Sequence, residues 1–340
     1  MNNDLSGPVV VGVDGSAAAS AAVIVAAAEA VAGGVPLRIV QAYSWPILYA
    51  ALANMPYRPE DWHPPESAES MVNGVADRVR RQHPGLAVQT AVTTGGAGAV
   101  LVQESSHATA MVVGARGAGG IAGLLTGSVV AHVAAHAHCP VIVVREGQQH
   151  LAGADQRGNG RSGRQVVVGV DGTESSLGAA WYACDWARRN SATVTALYAV
   201  PQDQFDRAMP EFGARTAAQL RLEEWIAPAR AEFPTVEVES VVVYGQSSSD
   251  ALTQASGSAR LLVVGSRHRG ELLSAMLGSV GMTLVRSSVC PVVVVHGRRP
   301  TPVVGADRTA VDAGDRSSGD VPTTAGARYG RNVRAPIQRT

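Results

Sequence analysis

The stretch VVVGVDGS at Val9–Ser16 recurs as VVVGVDGT at Val166–Thr173, 157 residues further along the chain. In each copy a continuous apolar run is followed at once by Asp-Gly and a hydroxyl-bearing residue. Such a run predicts a strand buried on both faces of a parallel sheet, and the residues after it predict a turn and a helix cap. The recurrence therefore predicts a duplicated α/β domain.

A second repeated motif lies later in each copy. Gly114-Ala115-Arg116-Gly117 is followed after nine residues by Gly127-Ser128, and 151 residues on the chain reads Gly265-Ser266-Arg267-His268, nine residues, Gly278-Ser279. Cys139-Pro140 and Cys290-Pro291 repeat at the same offset. Two motifs in one order, with offsets that differ slightly, indicate two complete copies with a slightly longer connection in the first.

Alternating strand and helix patterns predict the fold of each copy. The strands are expected at Val9–Val13, Leu37–Ala42, Leu86–Val92, Met111–Val113 and Val141–Val144, then at Val166–Val170, Thr193–Val200, Val236–Val243, Leu261–Val264 and Val292–Val295. The fold class is thus α/β, with two tandem doubly wound, five-stranded parallel sheets in the Rossmann-like order 3-2-1-4-5.

The domain boundaries follow from composition. Residues 7–147 and 164–297 are the two domains. Residues 148–163 are rich in Gly, Gln and Arg and predict a flexible linker, and residues 298–340 predict a disordered tail.

Composition excludes several classes of function. The 340 residues carry a formal net charge of zero, so no nucleic-acid partner held by bulk charge is expected. The chain has no lysine, which excludes a Walker A lysine and a Schiff-base lysine. A bound phosphate must then be held by backbone amides, hydroxyls, arginine or a metal ion.

Three scattered cysteines and the first residues indicate the compartment. Cys139, Cys184 and Cys290 form no CxxC pair and no disulfide framework. The N-terminus lacks the basic and apolar regions of a secretory signal, and the Ala-rich run Ala17–Ala32 is too short to span a bilayer. We expect a cytoplasmic protein without membrane contact.

Candidate site residues follow the first and fourth strands. In the order 3-2-1-4-5 the crossover direction reverses between these strands, so Asp14 and the Gly114 loop should face each other there. The carboxylate can bind a ribose hydroxyl, an amine or a divalent ion, and Arg116 can contact a phosphate. Gly127-Ser128 opens a helix whose amides can hold an anion. Taken singly, each feature is more often a turn or a helix cap than part of a binding site.

The joint pattern resembles the universal stress protein family in its tandem two-domain form. VVVGVDGS, GxxG with nine residues before Gly-Ser, and CPVIVV carry the resemblance, which covers about residues 7–297. It implies an ATP site in each domain, with Mg²⁺ assisting. The implied site residues are Asp14, Gly114, Gly117, Gly127 and Ser128 in the first domain, and Asp171, Gly265, Gly278 and Ser279 in the second. Arg116 in the first loop, and Arg267 and His268 in the second, are further candidate contacts by their positions.

The second copy departs from the pattern at one position. His268 stands where the first copy has Gly117. A side chain there either crowds the ribose or phosphates or hydrogen-bonds them, so the two sites are expected to differ in affinity, the second being weaker.

Three histidines near Cys139 offer an alternative chemistry. His132 and His136 are an i, i+4 pair, and His138 follows them. The second copy has no matching cluster, so a solvated helix end is favoured over a zinc site. No catalytic motif such as G-x-S-x-G occurs.

The function predicted is ATP binding that regulates stress response or growth state through nucleotide-dependent conformation or binding of an unidentified protein partner. At most a slow ATPase is expected. An ATP-dependent hydrolase or transferase and a nucleotide-free scaffold stay open as alternatives.

The last strand of each sheet is an apolar edge. Exposed edges invite pairing, and the two copies are tethered in one chain. We therefore predict an intrachain pseudo-dimer in which Val141–Val144 and Val292–Val295 run antiparallel. Further association of whole chains into a homodimer is left open by the sequence.

Overall fold

A computed structural model describes residues 7–43, 66–117, 127–149, 164–201, 213–266 and 278–297. Arg267, His268, the predicted tail and most of the predicted linker lie outside these residues. Within them, no helix is long and apolar enough to cross a membrane.

Each half of the chain alternates strands with helices. The first half contains β1 (Val9–Gly12), α1 (Ala17–Gly33), β2 (Leu37–Tyr43), α2 (Glu66–Gln82), β3 (Val88–Thr94), α3 (Ala97–Ser105), β4 (Ala110–Gly114), α4 (Ser128–His136) and β5 (Val141–Val144). The second half contains β6 (Gln165–Gly169), α5 (Glu174–Asn190), β7 (Thr193–Val200), α6 (Gly213–Glu232), β8 (Val238–Tyr244), α7 (Ser248–Ala255), β9 (Leu261–Gly265), α8 (Ser279–Ser287) and β10 (Val292–Val295).

All ten strands form one sheet in the order β3-β2-β1-β4-β5-β10-β9-β6-β7-β8. Within each half the strands are parallel and follow the order 3-2-1-4-5, so the predicted fold class is confirmed. The direction of the crossovers reverses between β1 and β4, and again between β6 and β9. Ligand sites of such sheets lie at these two points.

The two halves join through their last strands. β5 and β10 pair antiparallel, with Ile142 opposite Val293 at the centre of the ladder. This confirms the predicted intrachain pairing. It also leaves neither β5 nor β10 as an open edge.

Two apolar cores cover the faces of the sheet, and each extends across both halves. Helices α1, α2, α5 and α6 pack on one face, and α3, α4, α7 and α8 pack on the other. Strands such as β5, whose four residues are all buried, consist of β-branched residues because both of their faces meet helices.

The first turn of each half is built alike. Gly15 has φ +82° and Gly172 has φ +78°, which favour glycine at both positions. The Ser16 hydroxyl caps α1 by accepting from the Ala19 amide at 3.1 Å, and Thr173 caps α5 in the same way. The predicted helix caps therefore exist, alongside any role in binding.

The third strand of each half begins two residues later than predicted. The amides of Leu86 and Val236 donate to the carbonyls of His83 and Phe233, at 3.0 Å in both turns. Both side chains contact the core, so they look like strand residues in sequence although their backbone belongs to the turn.

Candidate functional site

A cavity of about 300 Å³ opens at the carboxyl ends of β1 and β4. Its volume lies at the lower end of the range typical of small-molecule sites. All six residues predicted for the first site line it, namely Asp14, Gly114, Arg116, Gly117, Gly127 and Ser128. The structure thus brings together residues that lie more than one hundred positions apart in the chain.

Apolar side chains complete this first cavity. Val40, Ala97, Leu101 and Val113 line it together with the polar residues. Sequence reasoning missed them, because a residue that faces a cavity at the end of a strand is of the same type as one that faces the core. The cavity therefore offers an apolar wall beside a polar rim, which suits a ligand with a flat apolar part and a charged part.

The Asp14 carboxylate lies between the turn after β1 and the glycine loop. Its Oδ1 accepts a hydrogen bond from the Ser16 amide at 3.0 Å. A Cβ atom on Gly117 would lie only 2.7 Å from Oδ2. Glycine at position 117 is therefore what allows the loop to approach the carboxylate.

The loops after β1 and β4 are tied together. The Ser16 hydroxyl donates to the Arg116 carbonyl at 3.2 Å, so one residue both caps α1 and holds the Arg116 loop. The Gly127 amide donates to the Ala115 carbonyl at 3.1 Å and fixes the entry to α4.

Helix α4 points its N-terminus at this cavity. Its cap residue, Gly127, makes no side-chain hydrogen bond, and Ser128 is the first helical residue. Amides at an uncapped helix start, with the positive end of the helix dipole, favour an anion. The arrangement can therefore bind a phosphate without a lysine.

Gly114 has a structural role that the sequence motif does not indicate, because it packs against the backbone of α1. A Cβ atom there would lie 2.6 Å from the Ala18 carbonyl carbon and 2.7 Å from the Ala19 nitrogen. At Gly265 a Cβ atom would lie 2.5 Å from Ser175. In both halves this glycine lets the fourth strand contact the start of the first helix, whether or not a ligand binds.

Arg145, which follows β5, contacts the second half across the joint, meaning the interface that the two halves form along β5 and β10. The Arg145 guanidinium donates to the carbonyls of Arg286, at 2.9 Å, and Ser288. Burial and the positive charge of Arg116 both lower the pKa of Arg145. The charge of Arg116, which lines the cavity, therefore acts on Arg145, which contacts the other half.

The second cavity, at β6 and β9, has a volume of about 60 Å³. Asp171, Gly265 and Gly278 line it, and Ser279 begins α8 beside them. Arg267 and His268, also predicted for this site, lie outside the described residues.

Larger side chains account for part of this difference in volume. Leu197, Ser176 and Ser248 stand in the second cavity where the first has Val40, Ala19 and Ala97. None of these exchanges lies within the two repeated motifs.

Asp171 is hydrogen-bonded to residues at the start of α5. Its Oδ1 accepts from the Thr173 amide at 3.1 Å and from the Thr173 hydroxyl at 2.6 Å. The Asp171 amide donates to the Ser176 hydroxyl at 3.2 Å. The hydrogen bonds of Asp171 thus stay within the loop after β6 and the start of α5. In the first half, Ser16 instead joins the loop after β1 to the Arg116 loop.

The histidines of α4 do not converge on a common point. His132 and His136 stack with ring centroids 4.5 Å apart, and His136 Nδ1 donates to the His132 carbonyl at 2.8 Å. Across the described ranges, no three His, Cys, Asp or Glu side chains are placed to hold a metal ion together.

Comparison with known proteins gives the family. The model of the universal stress protein family matches residues 6–145 and 163–296. Universal stress protein Rv2623 of Mycobacterium tuberculosis is 31% identical over 293 residues, covering 85% of this chain and 96% of that protein. A universal stress protein of Mycolicibacterium smegmatis is 33% identical over 301 residues, covering 85% and 97%.

A solved structure agrees on the fold. The crystal structure of a universal stress protein from Archaeoglobus fulgidus aligns with a TM-score of 0.61 at 18% identity, covering 87% of this chain and 99% of that one. With two matches to the family model, relatives above 30% identity and the tandem fold in place, this chain belongs to the universal stress protein family.

Proposed function

We propose that this protein binds ATP in the first-domain cavity, with Mg²⁺ assisting, and regulates stress response or growth state through nucleotide-dependent conformation or partner binding. The observation that carries the proposal is the convergence of three features in one cavity. These are the Asp14 carboxylate, the glycine at position 117 and the uncapped start of α4.

Each group has a chemical part in this proposal. The amides at the start of α4 and the Ser128 hydroxyl would hold phosphate oxygens, and Arg116 would add a charge-assisted contact. Asp14 would accept a hydrogen bond from a ribose hydroxyl or an amine. Val40 and Leu101 would contact the apolar face of the base. Mg²⁺ would neutralise phosphate charge that no lysine is present to balance.

The residues around the cavity favour binding over turnover. Among the described lining residues, Asp14 and Arg116 are the only side chains that carry a charge. Asp14 already accepts from the Ser16 amide, and neither group is an obvious general base for a water molecule. A regulatory role that follows the bound nucleotide is therefore preferred to an efficient hydrolase or transferase.

The second domain would bind nucleotide more weakly. Its cavity is smaller, and Asp171 accepts two hydrogen bonds from Thr173. A ligand that needs this carboxylate must compete with the bonds already made.

Nucleotide content and calorimetry on the full chain test the proposal. We expect ATP to copurify or to bind with Mg²⁺, with one tighter and one weaker site, and to be lost to ADP only slowly. Rapid, complete hydrolysis would favour an enzyme instead. Absence of binding for ATP, ADP and AMP would support a nucleotide-free scaffold.

A further inference from the structure

Two buried residues at corresponding positions of the repeat meet where the halves join. Glu29 of α1 and Trp186 of α5 are 157 residues apart, the offset that relates Val9 to Val166. The Trp186 indole N–H donates to Glu29 Oε1 at 2.7 Å, and both side chains are more than nine-tenths buried. Glu29 therefore contacts the residue that occupies its own position in the second copy of the repeat.

The same holds in the sheet. Ile142 pairs with Val293, which is its repeat counterpart at an offset of 151 residues. Two residues that face their own counterparts mark the pseudo-twofold axis between the domains. In a pair made of two identical domains, a residue on this axis would face a second copy of itself.

Other contacts across the joint do not depend on which domains meet. The β5–β10 ladder joins valine and isoleucine. Arg145 donates to the carbonyls at the end of α8, and the ring of His296, its counterpart, contacts the Ala134 carbonyl in α4 at 2.8 Å. Main-chain carbonyls are present at the end of either helix, so such contacts would also form between like domains.

The contact between Glu29 and Trp186, in contrast, depends on which two domains meet. Around Glu29 the second domain provides Arg189, with Nη1 3.8 Å from Glu29 Oε2, and also Arg260, Asp185 and Tyr182. The first-domain counterparts of these four residues carry no charge, being Ala32, Thr109, Ala28 and Val25. Two first domains would therefore bury two carboxylates against each other without a cation.

Burial already works against the charge of Glu29 in the native pair. Desolvation raises the pKa of the Glu29 carboxyl, while Arg189 and the Trp186 hydrogen bond act to lower it. Without these two groups the charged form would lose its stabilising partners, and a second carboxylate would add repulsion.

We propose that Glu29 and Trp186 select the partner of the joint, so that the face formed by α1 and β5 accepts a second-domain face and rejects another copy of the first domain. Chains that open and exchange domains would on this basis re-form only first-to-second pairs. The discrimination lies in α1 and α5, because the contacts of the ladder and of Arg145 do not distinguish the domains.

Full-length variants test this by moving first-domain residues into the second. Trp186→Glu with Arg189→Ala places a carboxylate opposite Glu29 and removes the nearest cation. Trp186→Gln with Arg189→Ala is the matched control, because it removes the same indole and cation but adds no charge. Adding Glu29→Gln to the Trp186→Glu/Arg189→Ala chain should restore a carboxylate–amide pair. Urea unfolding and amide exchange of Val141–Val144 and Val292–Val295 report on the joint.

At pH 7.5 we expect the Trp186→Glu chain to unfold more readily than its Trp186→Gln control, by at least about tenfold in the equilibrium constant, with faster exchange in both strands. Lowering the pH to about 5 should reduce this difference in the unfolding equilibrium constant, since a facing carboxylate pair takes up a proton. The Arg260 guanidinium lies 5.3 Å from the centre of the Trp186 ring and would attract the new carboxylate but not the amide, so every chain in the test also carries Arg260→Thr, the first-domain residue. Asp185 and Tyr182 also face this position and are the same in every chain.

Each outcome decides the proposal. A Trp186→Glu chain that unfolds outright and is returned to the folded state by Glu29→Gln supports it. Trp186→Glu and Trp186→Gln chains that behave alike, folded or unfolded and at both pH values, overturn it, because the loss of indole packing would then explain the whole effect.

Discussion

A Cβ atom on Gly117 would lie 2.7 Å from Oδ2 of Asp14, well inside van der Waals contact. Glycine at position 117 thus lets the loop come closer to the carboxylate than a residue with a side chain could without displacing it.

The first prediction concerns this approach. Gly117→Val should weaken ATP binding at the first site by about tenfold or more, because the side chain displaces either Asp14 or the loop. Calorimetry on the full chain measures the change. Gly74→Ala is a control, since a Cβ atom there meets nothing within 4 Å. Unchanged first-site affinity in Gly117→Val would remove Gly117 from the site.

The second prediction concerns His268, which replaces that glycine in the second domain. In a Gly117→Val background, His268→Gly should strengthen binding at the second site, because it restores the residue that the first copy has at this position. Titration with ATP and Mg²⁺ measures this. Weaker binding would show that the imidazole contacts the nucleotide, and an unchanged affinity would place His268 away from the ligand.

The third prediction separates folding from binding at the fourth strand. Gly114→Ala and Gly265→Ala should each destabilise the protein by about 1–3 kcal/mol, because the new methyl group meets the backbone of the first helix. The urea midpoint of the ligand-free protein gives the change. Gly74→Ala is the contrasting control and should raise the midpoint, because Gly74 lies inside α2 and a Cβ atom there meets nothing within 4 Å. Full stability in Gly114→Ala and Gly265→Ala would leave ligand contact as the reason for these glycines.

The fourth prediction concerns the ladder between the domains. Proline at both Val143 and Val292 removes amides that face the partner strand in the β5–β10 ladder and should uncouple the halves. The amides of the central pair, Ile142 and Val293, face β4 and β9 instead. Small-angle scattering would then report a more extended chain. The exchange Ile142→Val with Val293→Ile keeps both amides and the total volume, and should cost less than about 1.5 kcal/mol. A compact proline variant would refute the importance of the ladder.

The fifth prediction concerns the buried thiols. Burial raises the pKa of Cys139 to about 12 and those of Cys184 and Cys290 to about 11. The folded protein therefore keeps these protons at pH values where the unfolded chain loses them, so stability should fall as pH rises from about 9 toward 12. At pH 8 a thiol reagent should modify all three cysteines in urea and very little of them in the native protein. Rapid native labelling would contradict the burial.

The sequence predicted much of this architecture because its two strongest signals are local. Apolar runs such as Val9–Val13 mark the buried parallel strands, and the fixed offsets of the repeated motifs identify the two halves. Together they led to the strand order and to the antiparallel contact of the last strands. The residues of the first site also converge, since the loops after β1 and β4 must meet in this strand order.

What the sequence did not reveal depends on contacts between distant elements. The need for glycine at position 114 comes from the backbone of Ala18, which no motif displays. Part of the small volume of the second cavity reflects Leu197, Ser176 and Ser248, which lie outside the repeated motifs. The meeting of Glu29 with Trp186 follows from the position of the pseudo-twofold axis, and each residue taken alone reads as an ordinary helix position.

The antiparallel contact of β5 and β10 also sets the directions in which the two cavities open. Because every strand within a half runs parallel, reversing one half relative to the other sends the carboxyl ends of β1 and β4 one way and those of β6 and β9 the opposite way. The larger cavity therefore opens at one rim of the sheet, and the smaller cavity opens at the opposite rim. A ligand bound at one cavity and a ligand bound at the other thus enter from opposite rims of the sheet.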